Sequence, residues 1–414
     1  MADCRPVPCK ERPKECAITG ARYLYLSRAL RTFCYGLGIV VLGFEFKAEH
    51  LSSVEVGIVL TSFQGGSLIV LLLVGRYGNA WGMLKSYRLL WIVFALVGIP
   101  MAILHSWWSI ALLGLSGVLS PETTESGPFT SLEQPLLAEA IKGSSKVRGF
   151  GTINAVAAAS GAIGAFFAGI ALSRVFHDTP SKVNLLFIIY VPAGIIAIGL
   201  VNKLSAMQSS GDEVDPTSEP PVQRLGQSKK IVKRLSALYS VDSMSGGMIA
   251  QVFLSYWLAR RYGADPAEVG LIFFLVGVFQ VASYVAAARA AERFGLLNTI
   301  VFTHLPSNFI LMALPLSPNL VWAAVILILR SSLSQMDVPT RQAYLMMIVT
   351  KQERTAAASY TSSARYLGRP FGPLITGLLA ESFLSLPLVA AGAIKVTYDL
   401  ALWKVFKGTP MVSE

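Results

Sequence analysis

The sequence predicts an all-α membrane protein whose twelve transmembrane helices form two pseudo-symmetric six-helix bundles. Three observations lead there. The 414 residues are 53% hydrophobic and only 14% charged, with mean hydropathy +0.56, whereas a soluble domain carries about a quarter charged residues. Apolar runs of roughly 20 residues recur along the chain, each enough to cross a bilayer, and the short alternating strands of a β-barrel are missing from the pattern. The halves also repeat. Glu55-Val56-Gly57-Ile58 matches Glu268-Val269-Gly270-Leu271 at an offset of 213, where Arg76 and Gly82 also meet Arg289 and Gly295. At 208, Glu133-Gln134, Gly164 and Gly169 meet Arg341-Gln342, Gly372 and Gly377.

Residues 1–22 form a charged tail with Pro and with Cys4, Cys9 and Cys16, lacking the apolar core of a cleaved signal peptide. The first bundle, 23–203, carries span 1 at Tyr23–Phe46, span 2 at Val54–Val74 and span 3 at Leu89–Leu104. Span 4 is apolar over Trp107–Leu119, reads SPETTESG over Ser120–Gly127, and resumes over Pro128–Ile141. Pro121, Gly127 and two acids predict a broken helix, tolerated beside a cavity or packed protein. Spans 5 and 6 follow at Gly149–Phe176 and Val183–Asn202. Residues 204–234 are polar, Pro/Ser-bearing and charged, hence a linker. The second bundle, 235–406, has spans at Leu235–Leu258, Ala267–Ala288, Leu296–Leu316, Asn319–Ile348, Thr355–Ala380 and Leu386–Phe406, before a tail at 407–414.

The net charge of +11 does not point to nucleic acid. With both termini cytoplasmic, 23 Lys/Arg fall on the inner side and five outside, which is the positive-inside pattern and orients the chain. The three tail cysteines match no zinc spacing and lack a fourth ligand. Of four histidines, His50, His105 and His177 fall in external loops and His304 on span 9 reads as peripheral. No Walker motif, phosphate loop or nucleophile elbow is present, so neither ATP-driven transport nor enzyme chemistry is supported, and no cofactor is expected.

Charges at membrane depth are expensive and usually face a cavity or a partner. Arg330, Asp337 and Arg341 on span 10 are spaced i, i+7, i+11 and form one stripe on a continuous helix. Asp337 and Arg341 are also an i, i+4 pair. They carry substrate or a coupling proton, or they fix span 10 as a structural ion pair. Glu122 and Glu125 either bind protons or line a solvated break, while Glu133 serves a gate contact or coupling. Arg28 and Arg31, near the inner end of span 1, either snorkel or pair with Asp242 of span 7 as an inner gate. Lys395 and Asp399 on span 12 are i, i+4 and read as neutralising each other. Arg365 and Arg369 are an i, i+4 pair on span 11. Gln64 and Gln280 read as packing hydrogen bonds.

The layout resembles the major facilitator superfamily from Tyr23 to Phe406. That family's loop between spans 2 and 3 reads roughly G-x-L-A-D-R-x-G-R. Here the first copy is Gly75-Arg-Tyr-Gly-Asn79-Ala-Trp-Gly82, without the acid or following arginine. The second, Ala288-Arg-Ala-Ala-Glu292-Arg293-Phe-Gly295, keeps the acid, Arg and Gly. The resemblance implies a gating contact for which Glu292 with Arg293 is the better candidate, with Arg76 and Arg289 at equivalent places. It further implies that spans 1, 4, 7 and 10 line a central pathway and 3, 6, 9 and 12 lie outermost. The expected function is proton-coupled secondary active transport of a small solute by alternating access. A sensor or scaffold on the same fold, or a heavy-metal efflux permease resting on the tail cysteines, are the alternatives. The expected partners are the solute, protons and the bilayer, with no nucleic acid, for a monomer in the plasma membrane.

Overall fold

In the computed structural model, residues 13–123, 127–140, 146–174, 180–209 and 225–409 are described. Among them every regular element is helical. The N-terminal half comprises α1 (Pro13–Ala48), α2 (Ser53–Trp81), α3 (Met83–Ile103), α4 (Trp107–Gly114), α5 (Pro128–Ala140), α6 (Lys146–Arg174), a 3-10 segment (Pro180–Ile189) and α7 (Tyr190–Ser209). The C-terminal half comprises α8 (Lys229–Met248), α9 (Gln251–Tyr262), α10 (Pro266–Phe294), α11 (Leu296–Ala313), α12 (Leu320–Ser334), α13 (Asp337–Ile348), α14 (Arg354–Gly368), α15 (Phe371–Ser382) and α16 (Leu386–Phe406).

Nine stretches among the described residues are long and apolar enough to cross a membrane. The other three predicted spans, 4, 7 and 11, are each two shorter helices: α4/α5, α8/α9 and α14/α15. A belt of exposed large apolar side chains, including Leu72, Leu96, Leu112, Ile195, Phe309 and Val321, faces outward, as lipid contact requires.

The breaks differ from the sequence reading in position and number. Span 4 leaves the helix after Gly114, ahead of Ser120, because Gly117 adopts φ +73 and packs on Gly66. Span 7 breaks at Ile249–Ala250 and span 10 at Gln335–Met336, both expected as continuous, and span 11 breaks at Arg369–Pro370, where Gly368 and Gly372-Pro373 permit a bend. Pro370 lacks the amide that would continue α14. α1 begins within the predicted tail, and α7 and α8 both extend into the predicted linker.

The repeat has physical causes. Ser52 and Asp265 cap α2 and α10, each accepting from the backbone N–H of Glu55 or Glu268 while that glutamate accepts from the cap's own N–H. Such caps contribute about 0.5–2 kcal/mol each. Gly82 and Gly295 end α2 and α10 with φ +85 and +81, a region costly for side chains with a Cβ.

Two faces can be told apart by contacts. Tyr256 donates to the Leu51 carbonyl (3.1 Å), Trp257 to Ser385 (2.9 Å) and Tyr262 to the Ser317 carbonyl (3.1 Å), gathering four connections on the face far from the termini. On the tail face, Glu353, between α13 and α14, accepts from the backbone N–H groups of Gly226 and Ser228 and from the Thr350 hydroxyl. The halves meet where α6 lies along α10, α15 along α2, and α9 against α1.

Candidate functional site

Each half buries a charged cluster. In the N-terminal half, Arg28 and Arg31 of α1 converge on Glu133 of α5. Arg28 Nη1 donates to Glu133 Oε2 (2.7 Å), and Arg31 Nη2 donates to both carboxylate oxygens (2.8 Å each). Tyr87 donates to Glu133 Oε1 (3.0 Å), Arg28 to Thr130 (2.6 Å), and Arg31 lies 4.6 Å from the Phe129 ring centroid. All three charges are 3% exposed or less.

In the C-terminal half, Arg341 of α13 bridges two carboxylates. Its Nη1 donates to Asp242 Oδ2 on α8 (2.8 Å), its Nη2 to Asp337. Lys395 of α16 donates to Asp242 Oδ1 (2.7 Å), and Arg341 stands over the Tyr239 ring. A further buried pair lies beside it: His304 Nδ1 is 2.8 Å from Asp399 Oδ1, and Asn308 donates to Asp399 Oδ2 (2.8 Å).

The two clusters are related by the repeat with the charges exchanged. Glu133 and Arg341 are equivalent positions; one receives two arginines from span 1, the other binds an aspartate of span 7. Several readings of the sequence are thereby corrected. Arg28 and Arg31 pair with Glu133 inside their own half, and not with Asp242, because the α5 carboxylate reaches them first. Nor do they snorkel. Lys395 and Asp399 form no direct ion pair with each other: the Lys395 ammonium turns to Asp242 and Asp399 to α11, so the Lys395 charge acts on Asp399 only at longer range. His304, far from peripheral, is 4% exposed. The predicted stripe on span 10 splits at Gln335–Met336, so Arg330 leaves the company of Asp337 and Arg341.

Arg330 instead faces the seam between halves. Its Nε is buried without a hydrogen bond, it forms no ion pair among the described residues, and the carboxylate whose charge bears on it is Glu122. Glu122 itself bonds Arg369, at the break of span 11, joining the halves. Beside this pair Gln251 accepts from the Thr123 amide (2.8 Å) and hydroxyl (3.0 Å), and the Val252 amide donates to the Pro121 carbonyl (3.2 Å). Gln251, Thr123 and Gln280 line a cavity of about 10 Å³. The interruptions of spans 4, 7 and 11 thus supply free backbone groups and polar side chains at one level, which is where irregular backbone is tolerated in a membrane. Glu125 lies outside the described residues, as do Cys4 and Cys9.

The gate candidates of the tail-face loops stand apart. Arg76, Arg289, Glu292 and Arg293 are exposed; Arg76 donates to Tyr77 (3.3 Å) and Arg293 lies over Phe294. The structure brings none of them to the seam.

Comparison with known proteins fits this architecture. Residues 235–410 match the family description Major Facilitator Superfamily. A bacterial homologue of the human lysosomal transporter Spinster, inward-facing and occupied, superposes with TM-score 0.71 at 15% identity, over 94% of this chain and 96% of that one. The xylose transporter XylE of E. coli, inward open, gives TM-score 0.69 at 14% identity over 95% and 97%. The C-terminal half is thus similar to the major facilitator superfamily, and the whole chain shares the fold of these solved transporters. It is also 21% identical, over 95% of both chains, to the uncharacterized membrane protein YJR124C of Saccharomyces cerevisiae.

Its long apolar helices make it an integral membrane protein. Its departures from the sequence reading concern partners. Tyr87, Thr130, Gln251, Thr123 and Asn308 carry no charge and gave no signal. His304 and Asp399 were visible as ionisable residues at membrane depth, and taking their spacing along one helix as a guide hid their contact across two.

Proposed function

We propose that this protein is a secondary active transporter that moves a small solute through the seam between its halves by alternating access, in exchange for or together with protons. It is a carrier, with no enzymatic step, and acts as a monomer in the plasma membrane with both termini cytoplasmic. The two rocking bodies are 23–203 and 235–406, joined by 204–234 and flanked by tails at 1–22 and 407–414. The observation that carries the reading is the Glu122–Arg369 ion pair, which joins the halves at the level of the helix breaks beside Arg330, a residue with no ion pair among the described residues. An ion pair that can be made and unmade between two rigid bodies is what a two-state carrier needs, since a solute shifts such an equilibrium by its differential affinity for the two states. The solute site consists of Arg330, Glu122, Arg369, Gln251 and Thr123. Asp337, Arg341 and Asp242 couple protons to span 10, and the exposed Glu292 and Arg293 close the tail-face gate in the opposite state.

The close backbone contacts of Gly57 with Gly377 and of Gly169 with Gly270, and the hydrogen bonds between the halves, lie at mid-membrane and toward the far face. With cytoplasmic termini, the structure is therefore the inward-facing state. The test is the distance between spin labels at Lys85 and Asn298, exposed at the tail-face ends of α3 and α11. Alternating access predicts two distance populations whose ratio shifts with pH or solute. One invariant distance in liposomes across about pH 5–8, the range in which perturbed carboxylates and histidines titrate, and across sugars, amino acids, nucleosides and organic anions, overturns the reading.

A further inference from the structure

Asp399 is 0% exposed and His304 4%. The charges around them can be assigned pair by pair. Arg341 bonds Asp242 and Asp337, and Lys395 bonds Asp242. Two permanent cations thus meet two carboxylates. Asp399 is left over, although Lys395 is one turn away on the same helix, because the Lys395 ammonium is already committed 2.7 Å from Asp242. The remaining partners of Asp399 are His304 at 2.8 Å and Asn308 at 2.8 Å. Among the described residues, no other permanent cation bonds it from the elements packed there. α8 brings Asp242 and Tyr239, α13 brings Asp337, Arg341 and Tyr344, and α16 brings Lys395 and Tyr398. Arg330 of α12 faces the seam, Arg365 of α14 is half-buried with no bond to the pair, and Glu381 of α15 is exposed.

An ionised carboxylate bonded only by a neutral imidazole and an amide, away from water, with the nearby Lys395 charge shared with Asp242, is under-compensated at a cost of several kcal/mol. One proton removes it, on either member: an imidazolium beside a carboxylate, or a neutral imidazole beside a carboxylic acid. Both forms hold the same proton count and differ only in which atom carries the hydrogen.

We propose that His304 and Asp399 form a binding site for one exchangeable proton, between spans 9 and 12. The site lies outside the seam and is separate from the solute site. Its occupancy is felt along α16: Lys395 shares its helix face with Asp399 and holds Asp242, which holds Arg341 of span 10. Losing the proton leaves a second carboxylate competing for Lys395, and that competition loosens the Asp242 contact. Four buried polar atoms without a hydrogen-bond partner among the described residues, Asn308 Oδ1, Tyr398 Oη, Ser243 Oγ and Tyr239 Oη, lie on the residues flanking this route.

The proton site is independent of the transport reading; only its effect on span 10 rests on it. The test therefore measures the proton. The full-length chain, in lipid nanodiscs at about pH 7.5, about one unit above the ordinary imidazole pKa, is labelled with [15N]histidine for NMR and recorded in parallel by infrared spectroscopy. The chain has four histidines, and His304→Gln and Asp399→Asn assign the signals. The expected result is one of two: an imidazolium nitrogen pattern at His304, or a carboxylic-acid carbonyl band lost in Asp399→Asn. A neutral His304 together with an ionised Asp399 overturns the proposal. If neither variant folds, substitutions of the other three histidines assign the His304 signal by elimination, and a neutral His304 in wild-type protein that shows no carboxylic-acid band still overturns the proposal.

Discussion

Gly57 of α2 lies against Gly377 of α15 so closely that a Cβ on Gly57 would sit 2.8 Å from the Gly377 Cα. The repeat makes the same contact a second time: a Cβ on Gly270 of α10 would sit 2.9 Å from the Gly169 Cα of α6. Both contacts join the halves near the far face. Small residues at such crossings let two backbones approach, which is how helices associate where lipid offers no hydrophobic drive. Gly57→Leu and Gly270→Leu should therefore each disfavour this closed far face by about 1–3 kcal/mol through overpacking. That corresponds to a shift of roughly 5- to 150-fold toward the opposite state. The distance between labels at Lys85 and Asn298 should shorten equally in both variants. A response to one glycine and not the other would mean that the two seams do not move together.

Arg341 separates structure from coupling. Removing one partner of a buried ion pair strands the other, at about 3–5 kcal/mol. Arg341→Gln and Asp242→Asn should each lower stability by that order, and the double variant by less than the sum. Glu133→Gln should behave likewise in the other half, since it strands Arg28 and Arg31. Chemical-denaturant or thermal unfolding in nanodiscs measures these. If Asp337→Asn lowers stability and leaves the pH profile of solute flux unchanged, Asp337 is a strut and has no coupling role.

The fold was legible because its signals are one-dimensional. Apolar length gives spans, Lys/Arg bias suggests orientation, and Glu55/Glu268, Gly57/Gly270 and Gly82/Gly295 repeat because a capping box, a backbone crossing and a left-handed turn each admit few residue types. The break in span 4 was legible from Pro121 and Gly127. The breaks in spans 7 and 10 were not: neither Ile249–Ala250 nor Gln335–Met336 contains a Pro or Gly, so there tertiary packing overrides local preference. Ion pairing was the least legible. Lys395 and Asp399 satisfy the i, i+4 rule, yet each finds a better partner across a helix interface, and spacing along one helix carries no information about the neighbour.

The linker end is held at the tail face by Glu353. Hydrogen bonds from the Ser228 side chain, the Gly226 and Ser228 amides and Thr350 hold its carboxyl below the ordinary glutamate range. Because the folded value is lowered, the stabilisation is present above the unfolded value of about 4.3 and is lost as pH falls through the folded one. Acidification below about pH 4.3 should thus release the Gly226–Ser228 segment, and Glu353→Gln should release it already at neutral pH. Hydrogen exchange at the Gly226 and Ser228 amides measures both. Exchange unchanged in Glu353→Gln would show that the segment is held by other contacts.

Arg330 and Arg369 should respond differently to the same substitution. Arg369 is bonded to Glu122 across the seam, so Arg369→Gln removes a tie between the halves and strands an acid. Stability of this state should fall, and the Lys85–Asn298 distance should shift toward the short population. Arg330 is a guanidinium with a buried Nε and no ion pair among the described residues. Holding such a group costs free energy in the empty protein, so Arg330→Gln should leave stability unchanged or raise it. A site kept at the expense of stability is expected to return that cost in function. If Arg330 meets solute, losing a charge-assisted hydrogen bond should cost about 1.5–3 kcal/mol of binding, roughly 10- to 150-fold in affinity. Proteoliposome flux and thermal unfolding, measured on the same preparations of both variants, test this pairing. Arg330→Gln protein with full flux would place the solute elsewhere, and a large loss of stability with it would make Arg330 a strut like Arg341.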